Sequence, residues 1–228
     1  MKGAVMSRFL GRICTSDSGV ALIEFAIVLP VFVTLSLGGA ELANYATTRM
    51  RISQLALQIA DNAARIGTGS PLVAKTISES DINDLFVGSQ LASNGLDLKT
   101  NGRVILSDLE PMANPNTSGK FKIVWQRCYG TKIHSSSYGV AGATDLSGIG
   151  PASRQVTALD DNATMFVEVY YRYKPLISTR WTPAADMVEI ASMSVRDRRD
   201  LSSDAGSGSS ATHPDGVYKV AGVTPSTC

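Results

Sequence analysis

Between Val20 and Ala40 the chain carries one ionisable residue, Glu24, and one proline, Pro30; the rest is apolar, small or hydroxylic. Roughly 20 residues of that composition are enough to cross bilayer hydrocarbon as a helix, in which every backbone amide bonds within its own segment. Pro30 removes one of those bonds and predicts a kink, which a membrane span tolerates better than an exposed helix does. A carboxylate inside such a run is costly and calls for a role.

The flanks of the run give it a direction. Lys2, Arg8 and Arg12 precede it, which predicts a cytoplasmic N-terminus and export of everything after Ala40. Three readings meet these residues. A secretory signal would end in a small-x-small site such as Gly38-Gly39-Ala40, but its core has no reason to hold Glu24. A plain single-pass anchor lets Glu24 reach the interface. A signal of the prepilin type is cut ahead of the apolar segment, so that the helix stays in the product.

Gly19-Val20-Ala21-Leu22-Ile23-Glu24-Phe25-Ala26-Ile27-Val28-Leu29-Pro30 resembles the TadE-like family of the tight-adherence (Tad/Flp) pilus system. The likeness rests on the glycine, the glutamate five residues later, Phe25 and the proline, placed behind a short basic leader and at the head of a membrane segment. It is confined mainly to residues 18–66, with a fainter echo at Val167–Tyr173. The resemblance implies that a prepilin peptidase cuts after Gly19, so that Val20 starts the mature chain and residues 1–19 are a leader. Glu24 of one subunit would then meet the Val20 ammonium of a neighbour, an attraction that strengthens in low dielectric. Implied partners are the prepilin peptidase, a major pilin, other pseudopilins and an inner-membrane assembly platform.

Beyond the span (residues 20–40), positions 45, 49, 52, 55/56, 59, 63 and 66 keep a three-or-four rhythm, which predicts an amphipathic helix over 41–66. One continuous helix from Val20 to Ile66 would be about 70 Å long. Gly67, Gly69 and Pro71 supply its stop. Residues 67–228 read as an exported α+β domain. Ser80–Leu91 is a short helix capped by Ser80 or Ser78 and ended at Asn94-Gly95. Val104–Leu109, Phe121–Cys128, Met165–Tyr173 and Met187–Arg196 alternate as strands between Pro, Gly, Asn and Ser clusters. The economical fold is pilin-like: a long N-terminal helix packed on an antiparallel sheet of about four strands, with Val167, Val169 and Tyr171 facing the helix. Arg196-Asp197-Arg198-Arg199-Asp200 reads as a solvated strand end, and Asp204–Gly216 as a mobile Gly/Ser stretch.

The net charge of +1 gives no field for nucleic acid, and three scattered cysteines form neither a zinc ribbon nor a CxxC pair. With Cys14 in the implied leader, Cys128 and Cys228 are the thiols left in the mature chain, and an envelope compartment predicts that they form a disulfide; the pilin resemblance agrees with this. For catalysis, Cys128 would need His134, six residues on, yet no signature supports the pair. His134 and His213 lack metal-ligand companions at helical spacing. Asp145-Leu146-Ser147-Gly148 begins like a metal-ion adhesion motif without its further serine, and Gly148-Ile149-Gly150 has no phosphate-loop lysine. The expectation is a non-enzymatic minor pilin that needs no cofactor and sits in the bacterial inner membrane with its C-terminal domain in the periplasm. The competing expectation is a membrane-anchored envelope domain that binds a ligand and never joins a filament.

Overall fold

The computed structural model describes residues 17–70, 72–178, 186–204 and 212–228. The first element, α1 (Asp17–Ala63), is one unbroken helix through the apolar run, past Pro30 and on into the amphipathic half. Two compact units share the chain. One takes in Met1–Tyr45 with Pro175–Pro183, and the other takes in Ala46–Lys174 with Ala184–Cys228.

In the second unit the rhythm of α1 becomes burial. Ile52, Leu55, Ala56, Ile59, Ala60 and Ala63 are buried, while Met50 and Leu57 face outward. α1 ends three residues before the predicted Ile66, and its end is held by more than glycine. Ile66 still bonds to Asn62 O, and then Gly67 turns at φ +119. A Cβ there would stand 2.7 Å from Thr76 O, so the close pairing of Thr68 with Thr76 admits only glycine.

The domain continues through β1 (Ile77–Ser78), α2 (Glu79–Ala92), α3 (Leu98–Asn101), β2 (Gly102–Pro111), β3 (Phe121–Tyr129), β4 (Thr164–Arg172), β5 (Asp186–Ser194) and β6 (Val217–Tyr218). Ser78 and Asp81 cap α2 reciprocally, each side chain accepting from the other's backbone N–H. Asn94 and Gly95 then turn the chain at positive φ, as their residue types predict. The four long strands form an antiparallel sheet in the order β3-β2-β4-β5, and the short β1 pairs in parallel with β6.

Alternation divides the sheet into two faces. Val104, Leu106, Met165, Val167, Val169 and Tyr171 share one face and are buried. The helices cover this side: Arg49 of α1 bonds Glu189 at 2.7 Å, and the Phe86 ring of α2 stacks on Tyr129 at 5.6 Å. The expected orientation of β4 is therefore the observed one. The opposite face carries Leu109, Ile123 and Phe166, covered by Ile149, Ala158 and Tyr138 from the long β3–β4 connection.

In the charge run 196–200, Arg196, Asp197 and Arg198 are exposed as expected, but Arg199 is not. Arg199 is buried, and its Nη2 donates to Ala63 O at 3.1 Å and Ile66 O at 3.0 Å, which places a cation on the carbonyl end of α1. Arg196 bonds Asp61, and Lys75 bonds Asp197. Composition could not reveal this, because the carbonyls that the run serves lie about 130 residues away in sequence. Of the Gly/Ser stretch Asp204–Gly216, residues 205–211 lie outside the described residues, as does Cys14.

Candidate functional site

Gly19, Val20, Glu24, Phe25 and Pro30 all lie on α1, and each of them is exposed. Val20 and Glu24 are one turn apart on the same helix face, separated by a rise of about 6 Å. Gly19 is helical rather than extended, which differs from what a peptidase needs at the bond it cuts. The N–H groups of the first helical turn have no partners within the helix, so unwinding α1 as far as Gly19 breaks few hydrogen bonds. Nothing lies within 4 Å of a Cβ built at Gly19, so packing does not demand a glycine there. The apolar window that follows is long enough to cross a membrane, and none of it is buried within the chain.

This exposed segment is the part of the chain that has a recognisable family. Residues 19–67 match the family model described as TadE-like protein. The N-terminal helix resembles that family. No curated protein and no solved structure matches the chain. The match begins at Gly19 and ends at the Gly67 turn, so the TadE-like segment is the whole of α1 from the glycine onward, and the sheet domain lies outside it.

Distal to the TadE-like segment, Cys128 and Cys228 form a disulfide across a sequence separation of 100. The C-terminal segment runs beside β3, where Cys128 N donates to Ser226 O at 2.7 Å, and Asn83 Nδ2 of α2 donates to Thr224 O at 3.0 Å. Bonded in this way, Cys128 offers no thiolate, and the weighed Cys128–His134 nucleophile–base pair does not exist. His134 instead stacks on Tyr170 at 4.5 Å, and its burial pushes the imidazole pKa down, against the pull of Asp186. Among the described residues no group of three or more His, Cys, Asp or Glu could hold a metal ion.

Beside the disulfide is a cavity of about 690 Å³ lined by Arg103, Ile105, Gln126, His134, Ser136 and Cys228, among others. Arg103 Nη1 donates to Gly130 O at 3.2 Å, and Gln126 Nε2 bonds both Ser107 Oγ and Gly139 O. Behind Ser136 sits Glu168, which accepts from the Ser136 hydroxyl at 3.1 Å and leaves its other oxygen unpartnered. Burial pushes the Glu168 carboxyl up, opposed by the Ser136 hydroxyl and the Ser137 backbone. Sequence reasoning passed over Arg103 and Glu168, since strand alternation marks their face but not the loop that folds over it. Glu41 was also passed over as a site residue. It is the first carboxylate after the apolar run, it is fully buried, and it accepts from Ile177 N at 2.9 Å.

Proposed function

We propose that this chain is a minor pilin or pseudopilin of a Tad-type pilus. It is inserted in the inner membrane with the N-terminus cytoplasmic, cut after Gly19 by a prepilin peptidase, and assembled with a major pilin and other pseudopilins on an inner-membrane platform. The observation that carries the reading is the TadE-like helix itself: its membrane-length apolar half is exposed, and that half is headed by a glycine that packing does not require and by an exposed glutamate. Such a surface is stable only against lipid or other apolar helices. A pilin uses both in turn, lipid before assembly and neighbouring subunits after it. The disulfide and the buried core of the domain suit an exported, oxidising location. Adhesion and biofilm formation are the outcomes such a pilus serves.

Glu24→Ala is the direct test. Loss of piliation with membrane insertion retained is the expected result, together with a mature N-terminus at Val20 by Edman or mass-spectrometric sequencing of the wild type. A wild-type chain that starts at Met1, or at a residue beyond Ala40, would sink the reading. The cavity beside Cys128–Cys228 favours the second reading, an anchored envelope domain that recognises a ligand. Intact piliation in Glu24→Ala cells would move the balance to it.

A further inference from the structure

We infer that the loop after β4 is a second membrane contact, in which Leu176 and Ile177 enter the interface of a phospholipid bilayer beside α1. The inference rests on the proposed reading that Val20–Ala40 crosses a bilayer. Glu41 is the residue immediately after that run, so it marks the depth at which hydrocarbon gives way to headgroups. Its Oε2 accepts from Ile177 N at 2.9 Å, which fixes the loop to α1 at this level. Leu176 is 64% exposed and Ile177 43% exposed, and Leu37 and Leu42, on either side of Glu41 along the helix, are open to a similar degree. Two exposed apolar side chains on a segment bonded to the helix at its exit from lipid extend the apolar surface of the span.

The backbone chemistry agrees with this placement. A non-helical segment at membrane depth is tolerated when its amides have partners, and Glu41 supplies one to Ile177. The carboxylate that accepts this bond is fully buried although it adjoins an apolar run. A charge that must sit at the edge of hydrocarbon is thereby bonded and covered. Lys174, exposed just before the loop, has the charge and reach to meet anionic headgroups.

The test uses the full-length chain in vesicles of phosphatidylethanolamine and phosphatidylglycerol. With Cys14→Ser and the native disulfide kept, an environment-sensitive fluorophore is attached to Leu176→Cys, and in parallel to Leu35→Cys within the span and to Ile133→Cys on the sheet domain. The expected result is blue-shifted emission at position 176, quenched severalfold more by nitroxide lipids labelled near the headgroup than by aqueous iodide. Iodide quenching at 176 equal to that at 133, with 35 still lipid-exposed, overturns the inference and leaves the anchor intact. Protection of 176 from both quenchers overturns it as well, by showing a protein neighbour instead of lipid. If 35 itself is open to iodide, the membrane reading fails first, and the inference fails with it.

Discussion

Arg127 and Glu79 give the sharpest test of what holds the sheet domain together. Glu79 opens α2, and Arg127 lies on β3, with side chains 3% and 8% exposed. Arg127 Nε reaches Glu79 Oε1 at 3.2 Å and Oε2 at 3.0 Å, Nη2 bonds the same carboxylate and also Asp215 at 2.9 Å, and Nη1 donates to Gln126 O at 3.1 Å. One guanidinium thus ties a helix, a strand and the approach to β6. Burial draws the Arg127 pKa down, but the bonds to Glu79 and Asp215 outweigh it and raise the pKa, so the guanidinium is charged in the fold. Removing Arg127 leaves Glu79 buried without its counter-ion, which costs about 3–5 kcal/mol; removing Glu79 leaves Arg127 with the partly exposed Asp215 alone and costs less. Replacing both with apolar residues of similar size removes the unpaired charge, and such replacements range from neutral to stabilising by about 1–4 kcal/mol. Arg127→Met is therefore expected to lower stability by about 3–5 kcal/mol and Glu79→Leu by less, and the double variant is expected to recover most of the loss. Urea unfolding of the full-length protein in detergent, followed by tryptophan fluorescence, measures all four corners of this cycle. Trp125 is a local reporter, since it is buried and lies 5.7 Å from the Arg127 guanidinium. Losses below about 1 kcal/mol for the single variants, or a double variant equal to their sum, would refute the reasoning.

Three further outcomes follow from the same geometry. Cys128→Ala/Cys228→Ala frees the C-terminal segment from a closed loop of 100 residues; chain-entropy arguments put the loss at about 2–5 kcal/mol, and non-reducing peptide mapping of the wild type must show the linked pair. Asp108 is raised well above its ordinary 3.8 by burial and then by Glu110, with Arg199 opposing, so the folded state holds that proton more tightly than the unfolded state. Its contribution is therefore full below about pH 3.8 and is lost as pH rises through the folded value. Asp108→Asn should flatten the fall in stability between acid and neutral pH, and an unchanged slope in urea titrations would exclude Asp108 as its source. Gly67→Ala should cost at least about 1–3 kcal/mol, because an L-residue at φ +119 is strained and its Cβ meets Thr76 O; a thermal melt at the wild-type midpoint would contradict this.

The residues that announced themselves in sequence did so through local chemistry. The three-or-four spacing from Ile52 to Ala63, the serine cap of α2, expected at Ser80 or Ser78 and found at Ser78, and the alternation of Val167, Val169 and Tyr171 each depend on neighbours a few positions away. Their structural consequences could therefore be read directly. The disulfide was legible for a different reason, since an implied leader that contains Cys14 left one pairing. Strand order was not legible, because β2 takes β3 and β4 as neighbours across a long loop whose length fixes nothing. Arg199 was misread because a charged run looks solvated until the carbonyls of Ala63 and Ile66 are brought to it. Glu168 and Glu41 were hidden likewise, each buried by a loop that only the fold places.

Glu24 shows how the two halves of the argument constrain each other. Before cleavage, Val20 presents an amide and Glu24 has no new cation to meet, so the motif is inert as an ion pair. Cleavage after Gly19 would create an ammonium one turn from Glu24 on the same helix face, and the first partner available to that carboxylate is therefore its own N-terminus. Pairing within one chain protects the cut monomer in lipid from an isolated charge. A neighbouring subunit can displace it only if helix packing contributes as well, since one ion pair is being exchanged for another. The exposed faces of Val20, Ile23, Phe25 and Ile27 offer that packing surface. On this account charge sets the register and apolar contact supplies the drive, so neither Glu24 nor the helix surface suffices alone for assembly.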